Sequence, residues 1–286
     1  MEFNIRKFDM SVLKERTALD SRKSPMIVII GKKDTGKSFL VRDILFNTQD
    51  CYPIGTVISA TEVANEFFQH MVPSKLIHDK YKPEIVTNVI KRQLGLKQSR
   101  NHAKHAGGGS GTNIDPRAFL ILDDCLYDGS WIREESTRYV FMNGRHVDLT
   151  TMITMQYPLG ITPNLRTNVD FIFILRENIT KNRRIIYENY AGMFPTFEMF
   201  CQVMDSCTEN YECLVICNGV QSNKLEDQVF WYKASDHPPF RLCNPSLWVN
   251  NKPFSSTMLG SSEYDPSKLP SKGPSIYVKK DKVEKL

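Results

Sequence analysis

The 286-residue chain is 41% hydrophobic and 24% charged, with 37 basic against 32 acidic residues and a formal net charge of +5. That balance belongs to a globular protein with enough chain for a substantial core, and it excludes collagen, coiled coil and wholesale disorder. No stretch approaches the ~18 consecutive apolar residues of a membrane span, the mixed-charge N-terminus reads as neither secretory signal nor transit peptide, and seven cysteines at this length point to a reducing compartment.

After a lead-in over residues 1–22, Met26-Ile-Val-Ile-Ile30 reads as a buried parallel strand that stops at Gly31. A glycine loop follows and opens a helix over 38–46, with apolar residues at Phe39, Leu40, Ile44 and Leu45. Residues 56–59 form the next strand and 62–71 and 83–96 the next helices, before a strand over 118–122 that ends on Asp123 and Asp124. A helix over 131–142, strands over 150–156 and 169–175, helices over 181–190 and 196–207, and strands over 213–217 and 229–233 continue the alternation. Cys213 and Cys217, four apart on a strand, lie ~13 Å from each other, too far to share a zinc ion, so they are read as core. Residues 105–113 have the composition of a flexible linker, and 250–286 that of a basic, largely disordered tail with six lysines from Lys268 to Lys285 against Asp281 and Glu284. Residues 23–249 are therefore expected to form one α/β domain with a mostly parallel central sheet flanked by helices.

Gly31-Lys32-Lys33-Asp34-Thr35-Gly36-Lys37-Ser38 matches the phosphate-loop pattern and stands between a strand and a helix, the context a working loop requires. The two glycines let successive amides turn into one cavity, and the helix dipole adds its positive end. Lys37 then supplies a movable charge to the phosphates, Ser38 a hydroxyl to Mg²⁺, and Phe39 the next amide of the helix. Asp123 at the strand tip is the second Mg²⁺ anchor, and Asp124, facing the other way, is the candidate base for an attacking water. Gln156 closes the strand over 150–156, where its amide either senses the γ-phosphate or makes an ordinary strand-end hydrogen bond. Arg145 and Arg166 are candidates to reach a neighbouring subunit's γ-phosphate, or else surface ion-pair partners.

Two other nucleotide chemistries are tested by the motifs. Asn223-Lys-Leu-Glu226 departs from the guanine-reading Asn-Lys-x-Asp pattern at its fourth residue, and Leu126 stands where switch-type GTPases carry glycine. Tandem Asp123 and Asp124 fit water activation better than transfer to a bound acceptor, so a nucleotide kinase is the lesser enzyme reading.

Together, residues 31–38, Phe-Leu-Ile-Leu-Asp-Asp-Cys (119–125), Phe-Met-Asn-Gly-Arg-His (141–146), Thr-Met-Gln-Tyr-Pro (154–158) and Leu-Arg-Thr-Asn-Val-Asp (165–170) resemble the poxvirus-type genome-packaging ATPases of large cytoplasmic DNA viruses, a branch of the FtsK/HerA superfamily. The resemblance spans about residues 22–245. It implies an additional-strand P-loop ATPase using ATP and Mg²⁺, assembled as a pentameric or hexameric ring that drives double-stranded DNA into a capsid at a cytoplasmic assembly site. By the same likeness Lys37 and Ser38 bind phosphate and metal, Asp123 holds Mg²⁺, Asp124 polarises water, Gln156 is a sensor, and Arg145 or Arg166 acts across the subunit interface. Where the wider superfamily most often has Glu, this chain has Asp124. Sequence-independent DNA contact is expected from the basic stretch 91–104 acting as a pore loop, or from the tail, which alternatively meets a capsid or membrane-associated virion protein. The competing class is a nucleotide-dependent assembly switch that binds a capsid protein.

Overall fold

The computed structural model describes residues 4–19, 21, 23–105, 115–125, 129 and 131–254. The linker expected within 105–113 and the tail beyond 254 lie outside the described residues, apart from His105 at a helix end. Among the described residues nine strands run in chain order: β1 (Arg6–Lys7), β2 (Met26–Ile30), β3 (Ile54–Ser59), β4 (Ile77–His78), β5 (Ala118–Asp123), β6 (Leu149–Met155), β7 (Phe171–Ile174), β8 (Glu212–Cys217) and β9 (Val229–Lys233). They build one sheet in the order β1-β9-β8-β7-β2-β6-β5-β3-β4. Only β8 runs antiparallel to its neighbours β7 and β9.

The central strands are apolar throughout because both sheet faces are covered. Along β2, Met26, Val28 and Ile30 join one core layer while Ile27 and Ile29 join the other. Along β5, Leu120 and Leu122 alternate in the same way with Phe119 and Ile121, the period-two signature of a strand buried on both sides. Cys213 and Cys217 sit in the second layer with Val215, where burial pushes the Cys217 thiol up to about 12. Gly55 on β3 faces Phe119 on β5, and a Cβ there would stand 2.0 Å from the Phe119 ring, so only glycine fits.

Local structure departs from the sequence expectation in four places. Residues 62–71 do not form one helix. A turn of helix, Glu62–Asn65, ends where Glu66 turns left-handed at φ 50°, and the Glu62 carboxylate accepts from the amides of Phe68 and Gln69 at 2.8 Å to start the 3₁₀ turn Phe68–His70. The basic stretch 91–104 is not a loop: it lies within the 23-residue helix Pro83–His105. Arg100 is buried, the Arg92 guanidinium is lowered in pKa by desolvation and Lys97 donates to the His146 carbonyl, while Lys91 stays exposed on the helix. The N-terminal lead-in joins the sheet, as β1 pairs with β9 and Phe8 packs edge-on against Phe171, Phe173 and Phe230. At the other end, residues 234–254 return across the helix Lys37–Asn47 and tie to β3 and its connections through Asn244 to Pro53 and Leu242 to Met71.

That returning segment is pinned by Asp43, a fully buried carboxylate on the helix that follows the phosphate loop. It accepts from Tyr232 Oη at 2.6 Å and the Ser235 amide at 3.3 Å, and meets His237 Nε2 at 2.5 Å, while the His237 ring stacks on Phe46 at 3.9 Å. Asp43→Ala leaves these buried donors unsatisfied. It is expected to cost about 3 kcal/mol, read as a lower denaturant midpoint with unchanged slope.

Candidate active site

In a parallel sheet all carboxyl ends share one edge, and strand order decides which residues meet there. β2 delivers Gly31 to that edge, β6 delivers Gln156, and β5 delivers Asp123 and Asp124. Because β6 lies between β2 and β5, the acidic strand is one place removed from the phosphate-loop strand. This inserted strand is the mark of the additional-strand P-loop fold. The register places Ile30 opposite Met155, Thr154 opposite Asp123, and Asp123 opposite Ser59, so all these ends are level.

The loop itself takes the conformation its glycines permit. Gly36 caps the helix Lys37–Asn47 with φ 96°, and Asp34 is also left-handed at φ 62°. Gly31 donates to the Met155 carbonyl at 3.0 Å, and Thr35 Oγ1 closes the loop onto the Lys32 carbonyl at 2.8 Å. Lys37 folds back so that Nζ donates to the Gly31 carbonyl at 3.2 Å, which holds its charge over the loop mouth. Ser38 and Phe39 on the first helical turn are exposed, as are Lys33 and Asp34. Lys32 pairs with Glu177 at 2.5 Å, fastening the loop to the connection after β7. Burial alone raises the Glu177 pKa, but hydrogen bonds from Lys32, the Ile179 amide and Asn182 outweigh it and bring the carboxyl below its ordinary value.

Asp123 is oriented by hydroxyls that sequence reasoning did not single out. Ser59 Oγ donates to one carboxylate oxygen and Thr154 Oγ1 to the other, each at 2.7 Å. The Thr154 hydroxyl also accepts from the Asp124 amide at 3.0 Å, so one side chain of the inserted strand fixes both acidic residues. Asp124 diverges from Asp123 by a different route from the one expected. It lies past the strand end in a left-handed conformation, φ 51°, and this turn aims its carboxylate at Gln156, whose amide donates to it. Glu62 stands nearby. Its pKa is raised by burial, with its two amide donors opposing and the Asp123 charge adding to the rise. Its oxygens are taken by backbone amides, which makes it a support for the β3 end of the site.

Arg145 is not brought to this edge with the rest, and Arg166 reaches toward it only through Tyr190, whose hydroxyl donates to the Pro158 carbonyl. Arg145 precedes β6 and therefore lies at the amino edge, a strand length or roughly 20 Å from the phosphate loop. Its guanidinium donates to the Asn168 carbonyl at 3.5 Å. Arg166 follows Pro163 on the connection from β6 to β7 and stacks over the Tyr190 ring at 5.4 Å. Asn223-Lys-Leu-Glu226 follows the amino-edge end of β8, away from the loop, so it cannot read a base there. Among the described residues no group of three or more His, Cys, Asp or Glu is placed to hold a metal ion. No described helix is long and apolar enough to cross a membrane.

No protein-family model matches the chain. An uncharacterized protein of Acanthamoeba polyphaga mimivirus is 38% identical over 236 residues, covering 82% of this chain and 78% of its own. One from Invertebrate iridescent virus 6 is 37% identical over 235 residues, 82% and 86% of the two chains. Among solved structures, the conjugation coupling protein TcpA in its monomer form with ATPγS overlaps at TM-score 0.51 and 15% identity, over 82% of this chain and 70% of its own. The genome packaging NTPase B204 of Sulfolobus turreted icosahedral virus 2 overlaps more loosely, at TM-score 0.48 and 15% identity over 74% and 98%. The chain thus belongs to this family of large-DNA-virus proteins, and its architecture is that of an additional-strand P-loop fold.

Proposed function

We propose that the protein hydrolyses ATP at this edge and uses the cycle to pull double-stranded DNA into a capsid, working as a ring of five or six copies at the viral assembly site in the host cytoplasm. The observation that carries the hydrolytic reading is the convergence of Asp123, Asp124 and Gln156 on one side of the phosphate loop, level with Gly31. In this reading a water attacks the γ-phosphorus, the bond to the β-phosphate oxygen breaks, and Asp124 takes the proton. ADP and phosphate leave. Gln156 links sensing to chemistry: its amide occupies Asp124 until a γ-phosphate offers a more highly charged acceptor, and the base is then released to the water.

The donors present fit Mg²⁺, since Ser38 and Asp123 are hard oxygen ligands and this ion takes one or two protein ligands beside phosphates and waters. Mg²⁺ bound by them supplies charge neutralisation to the β- and γ-phosphate oxygens. Ser59 and Thr154 serve by holding the Asp123 carboxylate in one orientation.

A translocating motor grips the phosphate backbone, so its partner effect is independent of sequence and falls with salt. Steady-state ATP hydrolysis with duplex DNA is expected to rise several-fold at low salt and lose that rise at high salt. Turnover that ignores DNA at concentrations favouring assembly assigns the site instead to a switch acting on a capsid protein. Phosphate transfer to a small acceptor makes it a kinase.

A further inference from the structure

We propose that Tyr211, together with Phe39, forms the platform on which the base of the bound nucleotide stacks, an assignment that rests on the phosphate loop binding a nucleotide. The argument begins with direction. Beyond the loop's own Lys37 and Ser38, the groups placed to act on a terminal phosphate, Gln156, Asp123 and Asp124, stand on the β6–β5 side. A triphosphate threaded through the loop with its γ end toward them sends its sugar and base the opposite way, over β7 and β8.

On that side the turn before β8 holds Tyr211. The residue is 69% exposed, yet its ring comes within 3.4 Å of where a Cβ on Gly36 would stand. Phe39, three residues after Gly36 and so on the same helical face, is 40% exposed. Two water-facing aromatic rings beside a phosphate-binding glycine gain little from burial, and each offers the flat surface that bases of any identity stack upon. The backbone adds independent support. Asn210 and Tyr211 are consecutive left-handed residues at φ 51° and 64°, a conformation asparagine tolerates and tyrosine rarely adopts. Strain of this kind persists where the fold imposes it, and its effect here is to set the ring over Gly36. A cavity of about 180 Å³ adjoins the turn, and its polar lining includes Arg176, Asn178, Thr208, Glu209 and the Arg183–Asp205 ion pair, groups that can meet a base edge.

The test separates base from phosphate by calorimetric titration of the full chain with ATP and with inorganic tripolyphosphate. Tyr211→Ala is expected to weaken ATP binding about tenfold and leave tripolyphosphate unchanged, with Tyr211→Phe restoring the difference. Equal weakening of both ligands overturns the proposal, because the ring then organises the loop instead of the base. No change in either overturns it too. A wild-type chain that binds neither ligand removes the nucleotide reading of the loop and the base platform with it, whereas binding of both with no effect of Tyr211→Ala removes the platform alone.

Discussion

Asp124→Asn is expected to lower ATP turnover about 100- to 10,000-fold while leaving ATP affinity within a factor of about three, since a positioned general base contributes to the step and little to ground-state binding. The substitution isolates charge from structure. Asparagine keeps a side-chain oxygen to accept from Gln156 and tolerates the left-handed φ of 51° better than most residues, so the turn past β5 and its hydrogen bond to Thr154 are preserved. Only the capacity to take a proton is removed. Single-turnover hydrolysis beside equilibrium ATP binding checks the prediction, and a variant keeping more than about a tenth of wild-type turnover takes Asp124 out of the proton-accepting role. Gln156→Ala is expected to give a diagnostic contrast: it frees the Asp124 carboxylate from its amide donor, and under the proposed mechanism it changes the coupling of nucleotide sensing to turnover while leaving Asp124 in place.

The parts of the site legible in the sequence were those whose chemistry is local. Gly31 to Ser38 is continuous and flanked by a strand and a helix, and Asp123 and Asp124 sit at the end of an unbroken apolar run, so each was readable from its neighbours alone. What was not readable is the pairing of distant segments. That β6 enters between β2 and β5 is fixed by strand register, and with it come Thr154 and Ser59, ordinary strand residues until the sheet sets them 2.7 Å from Asp123. The two-residue β1 and β4 are too short for periodicity to register and exist only because β9 and β3 offer partners. Charge misled for the same reason: Arg92 and Arg100 lie in a run of basic residues, but the helix Pro83–His105 turns them toward the protein. The left-handed turns at Asp124 and Tyr211 carry no glycine signal, so neither the aim of the base nor the exposed ring was visible before the backbone was in place.

Arg145→Ala is expected to lower turnover about 1,000-fold in a uniform assembly, within the range set by an arginine that completes a phosphoryl-transfer site. Mixing it with Asp124→Asn chains is expected to restore part of the activity. The reason is placement. Arg145 lies a strand length from its own phosphate loop, so it can serve a γ-phosphate only in another copy, and a ring built head to tail sets one edge of each subunit against a different face of the next. Arg166 already stacks on Tyr190 of its own chain, whose hydroxyl holds the Pro158 carbonyl at 2.6 Å. Among the described residues Arg145 donates to the Asn168 carbonyl at 3.5 Å, a long bond that costs little to give up. In an equal mixture of the two dead variants, random assortment leaves about one interface in four with an intact Asp124 from one chain and an intact Arg145 from the next. Turnover that climbs toward that fraction on mixing, at concentrations where the chains assemble, identifies both the shared site and the arginine that completes it. A mixture as inactive as its components, with Arg166→Ala giving rescue in its place, transfers the role to Arg166. Rescue by neither confines both arginines to the packing of their own subunit.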